Sequence, residues 1–335
     1  MSFVFISIFG SIESGIIYAL MALGVYLTFR ILDFPDLTVD GSFVTGAGVA
    51  AIMVINGYSP IIATIGAVVA GFIAGCVTGI LHTKGKINPL LSGILMMIAL
   101  YSINLRIMGR PNLPLLNETT LIKQITNFWQ NLGFDQFFNG ILAFLGVSHM
   151  PRTWAVIFAG LIITFIAKLL LDQFLKTEVG LALRATGDNK KMIRSFSANT
   201  DYLIIVGLGI SNGLVALSGA LIAQHGGFAD LGMGIGMIII GLASVIIGEA
   251  LFGTKTIART TLAVIGGAII YRIVVALALR VEFLETGDMK LITALIVTAA
   301  LIVPKVMATQ QEKRRKQRKR LELSKSQGGE RNAAT

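Results

Sequence analysis

Residues 60–82 read PIIATIGAVVAGFIAGCVTGILH. The run holds no Asp, Glu, Lys or Arg. As a helix rising about 1.5 Å per residue, it is long enough to cross the roughly 30 Å of hydrocarbon in a bilayer. A backbone in lipid has no water to bond, so its polar groups must be satisfied within the segment, and a helix does that.

Similar runs lie on both sides, at 6–29, 41–56, 88–108, 153–173, 202–222, 231–252, 257–279 and 289–304. They are too long and too uniformly apolar for a barrel, whose strands alternate over about ten residues. The whole chain agrees. Hydrophobic residues make up 54% and charged ones 14%, against about 25% charged in a soluble domain. The expectation is an all-α, polytopic membrane bundle of about eight to ten transmembrane helices. One membrane domain, residues 1–305, precedes a tail, 306–335. No soluble segment is large enough to bind ATP, and no G-x-x-x-x-G-K-[ST] motif occurs. The first helix lacks a basic leader and a small-residue cleavage site, so it is expected to be retained.

Basic residues orient the bundle. Lys84 and Lys86 share one short connection; Lys176, Arg184, Lys190, Lys191 and Arg194 share another; Lys255 and Arg259 border a third. The tail carries Lys313, Arg314, Arg315, Lys316, Arg318, Lys319 and Arg320. All are assigned to the cytoplasm, with the tail meeting anionic lipid head groups rather than nucleic acid. The loop 109–152 then lies outside. Its amphipathic stretch, with Ile122, Ile125, Phe128 and Trp129, fits an interfacial helix or a docking surface for an external partner.

Small residues at Gly71, Gly75 and Gly79 have the spacing that lets helices approach closely. Cys76, the one cysteine, sits in the same run and is read as a buried structural thiol. The histidines, His82, His149 and His225, fall at span ends, and no carboxylate–histidine cluster suggests a metal or a catalytic centre.

Polar groups at membrane depth are costly and mark function. Glu13, Asn104, Arg106, Asn212, Glu249, Tyr271 and Arg272 all fall within or at the ends of apolar runs. Two further segments interrupt the pattern: LDFPDLTVDGSF at 32–43 and GGFADLGMGIGM at 226–237. Each holds an aromatic, a variable residue, then Asp-Leu, ahead of a Gly-containing helix. Matched interruptions in two halves point to an inverted repeat around a central pathway, with broken or re-entrant segments. Asp36, Asp40, Asn104, Asn212 and Asp230 are the candidate pathway residues, although Asp36 and Asp230 could equally be helix caps.

The connection 176–201, KTEVGLALRATGDNKKMIRSFSANTD, is patterned beyond what a tether needs. A short helix over Leu181–Thr186, a turn at Gly187-Asp188-Asn189 and a second helix over Lys190–Ser197 are expected. Met192, Ile193 and Phe196 would share one side of that second helix. Such an element fits a groove on a soluble partner.

The run Gly180-Leu181-Ala182-Leu183-Arg184-Ala185-Thr186-Gly187-Asp188-Asn189 resembles the coupling loop of ABC permeases of the branched-chain amino acid and ribose type. Residues 32–43, 88–109 and 227–249 are similar to the same family, and the resemblance spans about residues 5–305. It looks closest to a subgroup that works with a lipoprotein-type substrate-binding protein and carries amino acids, aromatic ones among them. It implies a type II importer fold and a second permease copy, a homodimer in that subgroup. It also implies a cytoplasmic ATPase that binds the ATP and grips residues 180–189, and an extracytoplasmic binding protein. The chain itself would need no cofactor and would not be an enzyme. An ion-gradient-driven secondary transporter is the alternative; it would need no patterned inner loop and would usually carry more carboxylates in its spans. A membrane-embedded enzyme needs converging His, Asp or Glu groups.

The orientation is directly testable. A cysteine introduced at Ser326 should react with an impermeant thiol reagent only after permeabilisation, and one at Asn117 on intact cells. External labelling at 326 would reverse the assignment.

Overall fold

The computed structural model describes residues 2–144, 150–195 and 198–278, with five isolated positions between 291 and 302. The expected span 289–304 is therefore described only at those five positions, and the basic tail, His149 and Phe196 lie outside the described residues. Eight helices within them are long and apolar enough to cross a membrane, as the hydropathy pattern requires.

The chain opens with α1 (Ser2–Tyr26), which runs into a π-turn (Leu27–Ile31). After a bend come α2 (Thr38–Ile55), α3 (Pro60–Thr83) and α4 (Pro89–Met108). Pro60 and Pro89 each open a helix, where the missing N–H costs nothing. The connection after α4 folds as a short strand β1 (Asn112–Pro114) followed by α5 (Leu121–Asn131) and α6 (Phe134–Phe144). Then follow α7 (Ala155–Lys176), α8 (Glu178–Ser195) and α9 (Thr200–Gly226). Strand β2 (Phe228–Asp230), a 3₁₀ turn (Leu231–Gly234), α10 (Met237–Phe252) and α11 (Ile257–Ala278) complete the described chain. β1 and β2 pair antiparallel, with Asn112 opposite Asp230.

Helix α9 is the hub and packs on α1, α2 and α3. Small residues make that possible. A Cβ at Gly71 would lie 2.3 Å from the Ala216 methyl, and one at Gly75 would lie 2.1 Å from the Leu208 carbonyl. The expected small-residue seam is therefore an intrachain contact between α3 and α9. In lipid, where apolar surface gains little from association, such close packing is what holds helices together.

Both sequence interruptions are breaks in helix, and both fall near the expected positions. The span expected at 231–252 begins instead with the 3₁₀ turn, and regular helix starts only at Met237. The connection 176–201 differs more. Helix α8 continues through Gly187 and Asp188, and only Asn189 leaves helical geometry, at φ −150° and ψ 88°. A full three-residue turn is unnecessary because the Asn189 side chain accepts the Met192 N–H at 3.1 Å and restarts the helix.

One buried ion pair was not anticipated from the sequence. Lys168 Nζ lies 2.6 Å from Asp172 Oδ2 within α7, both side chains being about 6% exposed. Asp172 Oδ1 accepts the Thr261 hydroxyl of α11 at 2.8 Å. Removing one partner leaves a buried charge alone, so Asp172→Ala should cost about 3–5 kcal/mol. It should lower the melting temperature in detergent, while Lys168→Met with Asp172→Leu should restore it. Equal losses in both variants would show that packing, not the charge, is responsible.

Candidate functional site

The bend after α1 carries Asp36 into the bundle, where it is fully buried. Its Oδ1 accepts the Thr38 N–H at 2.9 Å, which sets the start of α2. Its Oδ2 accepts an N–H of the Asn212 side chain, from the middle of α9, at 2.7 Å. The same Asn212 nitrogen also donates to the Leu208 carbonyl at 3.0 Å, and its Oδ1 is buried with no partner. Thr38 and Thr78 share a hydrogen bond of 2.8 Å. One carboxylate and its neighbours thus tie α2 to α3 and α9.

One turn along α2, Asp40 reaches across to the second broken segment. Its Oδ2 accepts the Gly236 N–H at 2.9 Å and its Oδ1 the Ile238 N–H at 2.8 Å. These are orphan donors at the start of α10, so Asp40 caps a helix remote from it in sequence. Close approach is allowed by Gly234, where a Cβ would meet the Asp40 carbonyl oxygen at 2.2 Å. Asn104 of α4 is buried beside it. It donates to the Gly41 carbonyl at 3.1 Å and accepts the Thr45 hydroxyl at 2.8 Å.

Asp40 and Asn104 line a common cavity of about 490 Å³ between α2, α4 and the 3₁₀ turn. Val44, Met97, Ile98, Leu231 and Ile235 give it apolar walls, and Tyr101 and Ser102 add hydroxyls. Asp230 stands beyond it, at the end of β2. Its Oδ1 accepts the Gly232 N–H at 2.7 Å and its Oδ2 an N–H of Asn112 at 3.3 Å. Asp36 and Asp230 make the same side-chain contact to the backbone two residues on, so the matched sequence motif is also a matched local geometry.

The five candidate residues are therefore not one cluster. Asp40 and Asn104 meet at the cavity, Asp36 and Asn212 tie α2 to α9, and Asp230 caps the 3₁₀ turn. The carboxylates of Asp36 and Asp40 are occupied by donors from the chain. They shape the cavity rather than present free charge to it. Among the described residues no group of His, Cys, Asp or Glu could hold a metal ion.

The connection 176–201 presents a different surface. Gly180 and Gly187, which the resemblance places in the segment gripped by the ATPase, pack closely on their own chain: a Cβ at either would lie 2.0 Å from a backbone oxygen, of Phe174 and Ile31 respectively. Leu183 and Thr186 are buried and Ala182 and Ala185 half-buried, while Leu181, Asp188 and Asn189 face out. Arg184 lines two open clefts against the end of α1. Met192 is exposed and Ile193 buried, so they do not share a side; adjacent helical residues point about 100° apart. Desolvation, reinforced by the Arg194 charge, pushes the Lys190 ammonium below its ordinary value. Arg194 itself pairs with Asp201 at 3.0 Å.

Two pairings were missed by sequence reasoning. Arg30 pairs with Glu249, 219 residues away, a partnership no local pattern reveals. Lys168 and Asp172 did carry a signal, opposite charges four residues apart inside an apolar run.

Eight helices long and apolar enough to cross a membrane, with two broken segments beside a cavity, make this a polytopic membrane protein. The chain matches the family model described as the branched-chain amino acid transport system permease component over residues 7–303, and it belongs to that family. A tyrosine transport system permease protein of Clostridioides difficile (strain R20291) is 46% identical over 287 residues, covering 86% of this chain and 88% of that one. An uncharacterised protein of Rickettsia prowazekii (strain Madrid E) is 37% identical over 242 residues, covering 72% and 76%. A solved structure described as a metal-chelate type ABC transporter in an inward-facing conformation aligns over 90% of this chain and 85% of that one. Its identity is 17% and its TM-score 0.47.

Removing the α10 cap should act on transport through shape. Asp40→Ala forfeits two charge-assisted hydrogen bonds of about 1.5–3 kcal/mol each and should reduce uptake more than Asp230→Ala, whose cap is partly solvated. Equal uptake in the two variants would remove Asp40 from the pathway.

Proposed function

We propose that this protein is the membrane permease of an ABC importer for an amino acid, with tyrosine or a similar aromatic one as the first candidate. A separate cytoplasmic ATPase supplies the energy. The observation that carries this reading is the cavity between the two broken segments. Its walls suit an apolar or aromatic side chain and its hydroxyls suit a polar one. The Clostridioides difficile relative is named for tyrosine transport, which agrees with such a lining.

A second copy of the chain completes the pathway in this reading. Helix α4 exposes Tyr101, Ser102 and Arg106 on a segment at membrane depth. Polar groups there face an interior or water rather than lipid, and a facing copy would enclose them. The ATPase docks on the outer surface of α8, where Leu181 and Met192 are 51% and 46% exposed, beside Asp188 and Asn189. The extracytoplasmic binding lipoprotein delivers cargo to the face that carries β1, β2 and α5.

Replacing Leu181 with Glu puts a charge on the docking face, which should weaken ATPase co-purification about tenfold or more and abolish tyrosine uptake, leaving membrane insertion unchanged. Unaltered association and uptake would move the docking element away from α8. Uptake that stops with a protonophore while cellular ATP is maintained would favour the ion-driven alternative.

A further inference from the structure

The end of α1 departs from α-helix where three other elements meet it. In the π-turn the Leu32 N–H bonds the Leu27 carbonyl at 3.0 Å, and the Phe34 N–H bonds the Thr28 carbonyl at 2.9 Å. Such a turn holds one extra residue and is frequently found at functional sites. Moving the extra residue along the helix would give a second discrete register, so the turn can serve as a joint.

Helix α8 is seated directly on this joint. Gly187 backs onto Ile31, with no room for a Cβ between them, and Leu183 packs in one cluster with Leu32. Arg30, within the turn, pairs with Glu249 in the last turn of α10. The other end of α10 is held by Asp40, in the cavity wall. Helix α10 is 16 residues long, a bar of about 24 Å fixed at one end to the joint and at the other to the cavity.

We infer that Arg30 and Glu249 are positioning residues for transport: their ion pair passes a displacement of α8 through the π-turn to α10, and so to the cavity. This rests on the reading that the ATPase docks on α8. Stability alone is a modest role for the pair, because the Arg30 side chain is 53% exposed, though Glu249 is 13% exposed, and solvent on the arginine side weakens the attraction. The surroundings also matter. Arg184, Lys255, Tyr26 and Thr254 line the same cleft, so another cation stands near Glu249. The test must therefore separate a specific pair from a general need for charge.

Four variants do so in membranes holding the whole transporter: Arg30→Glu, Glu249→Arg, the double exchange of both, and Gly187→Ala. The readouts are tyrosine uptake, ATP hydrolysis and ATPase co-purification. Each single charge reversal should lower uptake about tenfold or more, in the range of typical coupling energies, while ATP hydrolysis and ATPase co-purification stay at wild-type levels. The double exchange should recover most of the uptake, which loss of fold or of general charge would not do. Gly187→Ala separates α8 from the joint without altering its outer face and should uncouple in the same way. Normal uptake in both single variants overturns the proposal, as does a double exchange that recovers nothing. Loss of ATPase co-purification in the reversals also overturns it, since the pair would then belong to the docking surface. Wild-type protein that retains no ATPase would instead sink the underlying reading of the docked helix, and this proposal with it.

Discussion

The carboxylate of Asp40 takes the N–H groups of Gly236 and Ile238, and the rest of the structure depends on that contact. A membrane interior offers no water to an unpaired backbone donor. A helix that begins inside the bundle must therefore find its cap on another part of the chain. Here the cap comes from the first turn of α2, which itself begins after a break set by Asp36. Each interruption is tolerable because the other stands beside it, and the gap they leave is the cavity.

Close backbone packing allows that arrangement to persist. Helices α2 and α9 approach until a Cβ at Gly46 would lie 2.0 Å from the Ala216 carbonyl oxygen. At that separation side chains no longer intervene, and hydroxyls bond directly to carbonyls of neighbouring helices. Ser211 donates to the Gly24 carbonyl at 2.7 Å, and Ser218 donates to the Ile17 carbonyl at 2.9 Å. The core is thus rigid around α9. Helices α4, α10 and α11 form its flanks, with more side chains facing outward.

The segment between α4 and α7 is organised by different means. The first turn of α5 is tied to the bundle by Gln224, which accepts the Leu121 N–H at 2.8 Å and donates to Thr64 at 2.9 Å. Asp135 accepts the Trp129 indole and the Trp154 backbone N–H, both at 2.9 Å. Trp129 stacks on Phe158, so α5 and α6 lie against α7 as an aromatic shelf. Phe128 and Phe137 remain 66% and 64% exposed on it, consistent with an interfacial position.

Residues 60–82 alone determined that lipid is the solvent, because an uncharged run of that length admits no other. The length of the apolar runs located most spans, and the motif at Asp36 and Asp230 located both breaks. All of these are local properties, written in neighbouring residues. The roles of the marked residues were not local. That Asp40 caps α10, that Arg30 finds Glu249, and that Gly187 backs onto Ile31 all depend on contacts between residues more than a hundred apart. Sequence shows which groups need a partner at membrane depth. Only the packed helices choose that partner, because the choice is made by whichever donor or charge the fold brings within hydrogen-bonding distance.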